Sequence, residues 1–262
     1  MRLLDHLVRK PEQMPVADQL AIALDAARRG DYATALTIWE PLARSGVARA
    51  RNNIGACFAE GLGVERDCGL AFRWLALAAE AGDPVGQRNL ASLYFRGEGV
   101  EQDYRHAAGL YRAAAERGDG PAQDMLSWML LEGEVIEPDP VEARRWALAA
   151  AGRGIASSMT RVGMLYHNAI GVPRDPAEAV RWWQKAALRG DADGQAMLGA
   201  AYHLGAGVGA DRVTAYAWLL RAQAGGSTLA TRYASAARSE LTPDEIADAE
   251  RRAATVLPET AP

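Results

Sequence analysis

The sequence predicts an all-α fold, a superhelix of about seven antiparallel helix pairs, and two observations carry that expectation. Glycine recurs every 36 residues without an insertion, at Gly46, Gly82, Gly118, Gly154, Gly190 and Gly226. Two other columns keep the same step. One is acidic (Asp31, Asp67, Asp103, Asp139, Asp175, Asp211), and a small one follows four residues later (Ala35, Ala71, Ala107, Ala143, Ala179, Ala215). A single helix pair cannot bury its apolar face alone, so a register of this kind implies pairs stacked on their neighbours.

The elements follow in order. Residues 1–15 read as an N-terminal extension and 16–46 as a first helix pair, in which Arg28-Arg29-Gly30 runs directly into Asp31. Five repeats then occupy 47–226. Their A helices are expected near 48–60, 84–96, 120–132, 156–168 and 192–204, and their B helices at 67–81, 103–117, 139–153, 175–189 and 211–225. Each column Asp stands where its carboxylate can accept an N–H of the first turn of a B helix. Pro140 and Pro176 come next, at the helical position that tolerates proline, and Asp83-Pro84 repeats the device on an A helix. The recurring Gly closes each B helix in the left-handed conformation. The A-to-B turns carry paired glycines, as in Gly61-Leu62-Gly63-Val64 and Gly205-Ala206-Gly207-Val208, with a bulky column just before them (Phe58, Tyr94, Leu130, Tyr166, Tyr202). Val135 replaces the second turn glycine in one repeat and Ala169 the first in the next, so these two turns are expected either to differ in conformation or to reflect plain sequence drift.

Small residues on the A helices (Gly55, Ala91, Ser127, Gly163, Gly199) imply close approach to a partner helix, with the Ala column of helix B as the natural counterpart. Trp74, Trp146, Trp182 and Trp218 recur eight residues before the closing glycine, with Trp39 and Tyr111 one place later; they are assigned to the core between repeats. Residues 227–257 read as a terminal capping pair. Its last helix opens with the capping box Thr242-Pro243-Asp244-Glu245 and runs to about Val256, and 258–262 form a loose tail.

Composition narrows the function classes. The chain is 49% hydrophobic and 24% charged, a globular balance, and its formal charge of −4 argues against a nucleic-acid partner. Only Lys10 and Lys185 are lysines among its 29 basic residues, which reads as codon bias in a high-GC bacterial genome, the alternative being the suitability of Arg for planar recognition of carboxylates. The opening MRLLDHLVRKPEQMP lacks the apolar core of a signal peptide and no window is long and apolar enough to span a bilayer. A cytoplasmic protein without membrane insertion is the expectation. Cys57 and Cys68 flank one turn and are expected as reduced thiols rather than as a bridge.

Segments such as LASLYFRGEGVEQDYRHAAGLYRAAAERG (90–118) and VGMLYHNAIGVPRDPAEAVRWWQKAALRG (162–190) closely resemble Sel-1-like repeats, relatives of the tetratricopeptide repeat. The resemblance covers roughly 47–226, with tetratricopeptide-like flanking pairs. It implies a right-handed superhelix. It also implies an adaptor role, since members typically assemble complexes in bacterial signalling, envelope regulation and host interaction. Every residue of the shared skeleton is structural, so fold follows from it more firmly than function.

In such relatives the A helices line a concave face, which directs attention to positions that packing does not claim. Trp128 is the informative one, because its column otherwise holds Ala56, Ser92, Met164 and Ala200. With Phe95, Leu131 and Met164 it would form an apolar patch rimmed by Arg88, Asp124, Arg161 and His167, a site for a protein or peptide partner. The alternative is that Trp128 folds into the inter-repeat core. Asn52 and His203 complete the candidate positions. The paired Lys and Asn that grip a C-terminal carboxylate in some tetratricopeptide domains have no counterpart in Asn52/Ala56, Arg88/Ser92 or Asp124/Trp128.

Enzyme readings find little support. His6, His106, His167 and His203 show no metal-binding motif, and stacked repeats hold column neighbours about 10 Å apart. The Gly-x-Gly turns lack the preceding strand of a nucleotide loop. No Ser is followed three residues later by Lys, the nucleophile signature of β-lactamase-like enzymes. Glu60, Glu98 and Glu132 near the A-helix ends read as solvated turn charges. A non-catalytic scaffold without cofactor or metal is the expectation. The alternatives are a structural homo-oligomer and, behind it, a hydrolase.

Overall fold

A computed structural model describes residues 14–133 and 135–257. The first pair is α1 (Val16–Arg28) and α2 (Tyr32–Arg44). The repeats pair α3 (Ala48–Glu60) with α4 (Cys68–Glu80), α5 (Pro84–Arg96) with α6 (Tyr104–Glu116), and α7 (Gly120–Glu132) with α8 (Pro140–Gly152). They continue with α9 (Ala156–Asn168) and α10 (Pro176–Leu188), then α11 (Ala192–Leu204) and α12 (Arg212–Ala224). The terminal pair is α13 (Thr228–Ser239) and α14 (Pro243–Ala254). The fold is all-α, and the helices from α1 to α12 are uniformly 13 residues long. Constant helix length is what keeps an insertion-free period in register.

The acidic column works twice. Its carboxylates cap the B helices, as in Leu70 N–H to Asp67 at 2.9 Å, His106 N–H to Asp103 at 2.9 Å and Glu178 N–H to Asp175 at 2.9 Å. Its own N–H groups reach back to the carbonyls of the bulky column. Asp67 donates to Phe58, Asp103 to Tyr94, Asp139 to Leu130, Asp175 to Tyr166 and Asp211 to Tyr202, over 2.9–3.1 Å. Two columns that look unrelated in sequence are thus the two ends of one backbone hydrogen bond that closes the A-to-B turn of each of the five repeats.

The second turn glycine has a steric cause. A Cβ on Gly99 would lie 2.2 Å from the Cys68 carbonyl oxygen, and one on Gly207 2.2 Å from that of Pro176. These two turns therefore pack directly on the start of the preceding B helix, where a side chain would clash with its backbone. Ala169 does not alter its turn. At φ 59° it takes the same left-handed conformation as Gly61 (71°) and Gly97 (70°), so the substitution changes strain and not geometry. The turn containing Val135 includes Glu134, which lies outside the described residues.

The small A-helix column meets a bulkier side chain first, and the expected Ala lies close behind at Gly199, where a Cβ would be 3.0 Å from the Ala215 carbonyl oxygen. A Cβ on Gly55 would sit 2.7 Å from Leu75 Cγ, one on Gly163 2.4 Å from Trp183 Nε1, and one on Gly199 2.7 Å from Leu219 Cγ. These side chains stand seven residues before the closing glycine, in the column of Trp39 and Tyr111. That column is the core: Trp39, Leu75, Tyr111, Ala147, Trp183 and Leu219 are all buried. The Trp column one place earlier lies at its edge. Trp146 is buried, but Trp74, Trp182 and Trp218 are half-buried, and Lys185 and Arg221 lie over the rings of Trp182 and Trp218. One residue is a rotation of about 100° on a helix, enough to move a side chain from the seam to its margin.

The described chain falls into two compact units, one ending at Ala122 and one beginning at Gln123. In the first, Trp39, Leu42 and Ile54 pack beneath the N-terminal pair, and Leu75, Leu90 and Leu93 continue the core. In the second, Met159, Val162, Trp183 and Leu198 form the centre, and Leu219, Ala230 and Ala249 join the terminal pair to it. Helix α14 has the expected capping box, with Thr242 and Glu245 exchanging hydrogen bonds, and ends two residues before Val256. Its polar face is partly used: Arg221 donates to the Arg252 and Thr255 carbonyls, and Arg252 donates to Thr214. Most of the N-terminal extension and residues 258–262 lie outside the described residues.

Candidate functional site

In the second unit, the A helices α7, α9 and α11 form a pocket of about 390 Å³. Trp128 and Leu131 of α7 make one wall, Met164 and Leu165 of α9 the other, and Pro140 and Ile170 contribute apolar surface from the turns. Leu165 is fully buried, whereas Met164 and Ile170 are exposed. Trp128 is half-buried and faces this cavity, not the core of the repeat, whose column is one of small residues. Glu132, Asp191 and Asp193 place three carboxylates on the lining.

The polar residues around it are largely committed. Arg161 is paired with the Asp124 carboxylate and also donates to the Asp124 carbonyl at 3.2 Å. Ser157 and Ser158 bring further hydrogen bonds to the same carboxylate. This cluster ties the A helix of one repeat to the next. Asp191 caps α11 through Gly194 N–H at 2.7 Å and accepts the Thr160 hydroxyl at 2.6 Å. Asp193, exposed at the start of α11, accepts from Ser227 at 2.6 Å.

The same groove exists two repeats earlier, in the first unit, with about 250 Å³ and different contents. Ala56 stands where Trp128 is, Ala59 where Leu131 is, and Ser92 where Met164 is. Two of its polar side chains are engaged within the protein. Asn89 donates to Asn52 at 2.8 Å, and Ser92 hydrogen-bonds Tyr111, partly opposing the burial that pushes the Tyr111 phenol above its ordinary pKa.

The expected site residues are thus distributed unevenly. Trp128, Leu131, Arg161 and Met164 share one pocket. Asn52 is buried at 3% exposure in the ladder with Asn89 and offers no open surface. Arg88 pairs with Asp119 at 3.4 Å, and Phe95 meets Tyr104 edge-on with ring centroids 5.1 Å apart; both belong to the first unit. Asp124 supports Arg161 from behind the lining. His167 packs on Trp183 at 5.4 Å instead of joining the rim. His167 and His203 both enclose Nδ1 atoms with no hydrogen-bond partner among the described residues.

Sequence reasoning missed Asp191, Asp193 and Ile170, and it treated Glu132 as a turn charge. Asp191 and Asp193 sit on the following repeat, and only the stacking of α11 beside α9 brings them to the pocket. Among the described residues, no group of three or more His, Cys, Asp or Glu is arranged to hold a metal ion, and no helix is long and apolar enough to cross a membrane. Cys57 and Cys68 are free, and burial pushes the Cys57 thiol up to about 11.

Comparisons with known proteins bear on the fold. A Sel1 repeat protein from Oxalobacter formigenes superimposes with a TM-score of 0.80 at 25% identity, over 93% of this chain and 99% of that one. A protective antigen of uropathogenic Escherichia coli with an SLR fold covers 92% of this chain and 68% of its own at 25% identity, with a TM-score of 0.45. Among curated proteins none matches significantly. The model of the Sel1 repeat matches five times in succession, at 48–83, 84–119, 120–155, 156–191 and 192–227. These matches span most of the sequence in the register of the glycine column, and the chain belongs to the Sel1 repeat family.

Proposed function

We propose that this chain is a non-catalytic interaction scaffold that takes a protein or peptide partner on the A-helix face of its second unit, in the pocket between Trp128 and Met164. Sel1 repeat proteins are generally protein-interaction scaffolds, which sets the class. The observation that carries the site is the contrast between two equivalent grooves: one has Ala56, Ala59 and Ser92 where the other is walled by Trp128, Leu131 and an exposed Met164. Packing of the repeat is achieved with Ala56 at the same position, so the tryptophan supports a role outside packing. A pocket of this size lies at the small end of ligand sites and suits an anchor side chain better than a large cofactor. Aromatic walls with a polar rim match the anatomy of interaction hot spots.

The test places a photo-crosslinking residue at position 164 in cells of the native host. One protein adduct is expected, lost when Trp128→Ala is combined with it and absent when the crosslinker sits at position 92. No adduct, or the same adducts from both positions, overturns the site.

A further inference from the structure

The chemistry of the pocket specifies its occupant more closely. Resting on the reading above, we infer that the partner segment carries a bulky apolar side chain with an arginine or lysine close to it, the apolar group entering between Trp128 and Met164 and the cation meeting Glu132 and Asp193. Charge complementarity carries this step. The lining holds three carboxylates and one cation, and that cation, Arg161, is already neutralised by Asp124. The pocket therefore presents net negative charge beside apolar walls.

The carboxylates differ in availability. Asp191 spends one oxygen on both Gly194 N–H and Thr160, and so acts mainly inside the fold. Asp193 uses Oδ1 for Ser227 and is otherwise exposed. Glu132 is exposed with no ion pair among the described residues, and it is the last residue of α7, where the negative end of the helix dipole adds to its field. An anionic or carboxylate-flanked segment would meet repulsion from the same groups. A neutral apolar segment would leave them unpaired beside a desolvated surface.

The groove of the first unit lacks this combination. It has one acid on its lining, Glu60, against three in the second unit, beside Arg96, which is paired with Glu98, and Ala56 and Ala59 supply no large apolar surface. The specificity is thus local to the second unit.

Fluorescein-labelled twelve-residue peptides test the inference by anisotropy on the full chain. Each carries a central Leu, Phe or Trp within random sequence, with Arg, Gln or Glu fixed three residues away in three separate pools. The Arg pool is expected to bind about tenfold more tightly than the Gln pool, with the Glu pool weakest, as two partly exposed ion pairs allow. Raising the salt should erode the advantage. The variant E132Q/D193N keeps the side-chain shapes and the Ser227 contact and should bind the Arg and Gln pools alike. W128A/M164S should lose all pools. Binding that requires Trp128 and Met164 but treats Arg and Gln equally overturns the charge preference and leaves the scaffold site standing. Binding unaffected by W128A/M164S, or no binding from any pool, overturns both.

Discussion

The grooves of the two units are built on the same columns and differ most in side-chain size at three positions. In the first unit Ala56, Ala59 and Ser92 line a smaller cleft, beside which Asn89 bonds Asn52 and Ser92 bonds Tyr111. In the second, Trp128, Leu131 and Met164 line a pocket of about 390 Å³, against about 250 Å³ in the first, with large apolar side chains. The helix skeleton tolerates both, because these positions lie over the groove and the core columns lie beneath it. The difference teaches where the repeat stores its individuality: not in the glycines and aspartates that make it recognisable, but one residue after the small A-helix column.

The strongest way to separate the two regions is to overfill them from below. Gly163→Ala drives a methyl group to 2.4 Å from the Trp183 indole, which is rigid and hydrogen-bonded to the Thr160 carbonyl at 3.2 Å. A loss of about 3 kcal/mol is expected. Gly55→Ala meets the flexible Leu75 side chain at 2.7 Å instead and should cost about 1 kcal/mol less. Urea unfolding compares them directly; equal losses would show that the two repeats respond to overpacking alike.

The groove contents are exchanged next. W128A/M164S writes the second groove in the terms of the first. It should weaken partner binding at least about 30-fold, roughly 2 kcal/mol, while changing unfolding free energy by less than about 1 kcal/mol. A variant that unfolds instead of releasing its partner would return Trp128 to the core.

A smaller effect concerns the small column itself. Ser127 is fully buried and its hydroxyl has no partner among the described residues, while the equivalent position in the first unit is Ala91. Ser127→Ala should stabilise by about 1 kcal/mol, and Ala91→Ser should cost at least as much. A destabilised Ser127→Ala would mean that the hydroxyl is satisfied in solution. The smallest effect is at the turn. Ala169→Gly relieves a left-handed alanine where the first unit already has Gly61 and Gly97, at the expense of a more flexible unfolded chain. The net gain should be about 0.5 kcal/mol, read as a shift in denaturation midpoint with an unchanged slope.

The fold was legible almost to the residue because the signals that set it are local. An aspartate cap, a proline in the first turn and a left-handed glycine act on the helix that bears them, and their 36-residue spacing leaves one stacking pattern. What the sequence hid was rotational. Trp182 and Trp183 are adjacent, and no periodicity argument says which one faces Gly163; only the packed pair shows that Trp183 does. The candidate site divides in the same way. Trp128, Leu131, Arg161 and Met164 could be gathered from their columns, yet Asn52 looked equally available and is sealed by Asn89. Asp191 and Asp193 come from the next repeat along, beyond the reach of a column-by-column reading.

The pairing of small with large across each repeat also sets how the chain can be edited. Gly163 with Trp183 and Gly199 with Leu219 are matched within a repeat, so a single helix moved to another repeat carries half of a lock without its key. An α9 joined to α12 would place Gly163 opposite Leu219 and leave a void where the indole had been, whereas an α3 joined to α10 keeps a glycine, Gly55, under Trp183. A whole helix pair carries its small residue and the bulky one facing it together, whereas a crossover between the two helices of a pair separates them. The 36-residue pair is thus the smallest segment that can be moved without splitting that match.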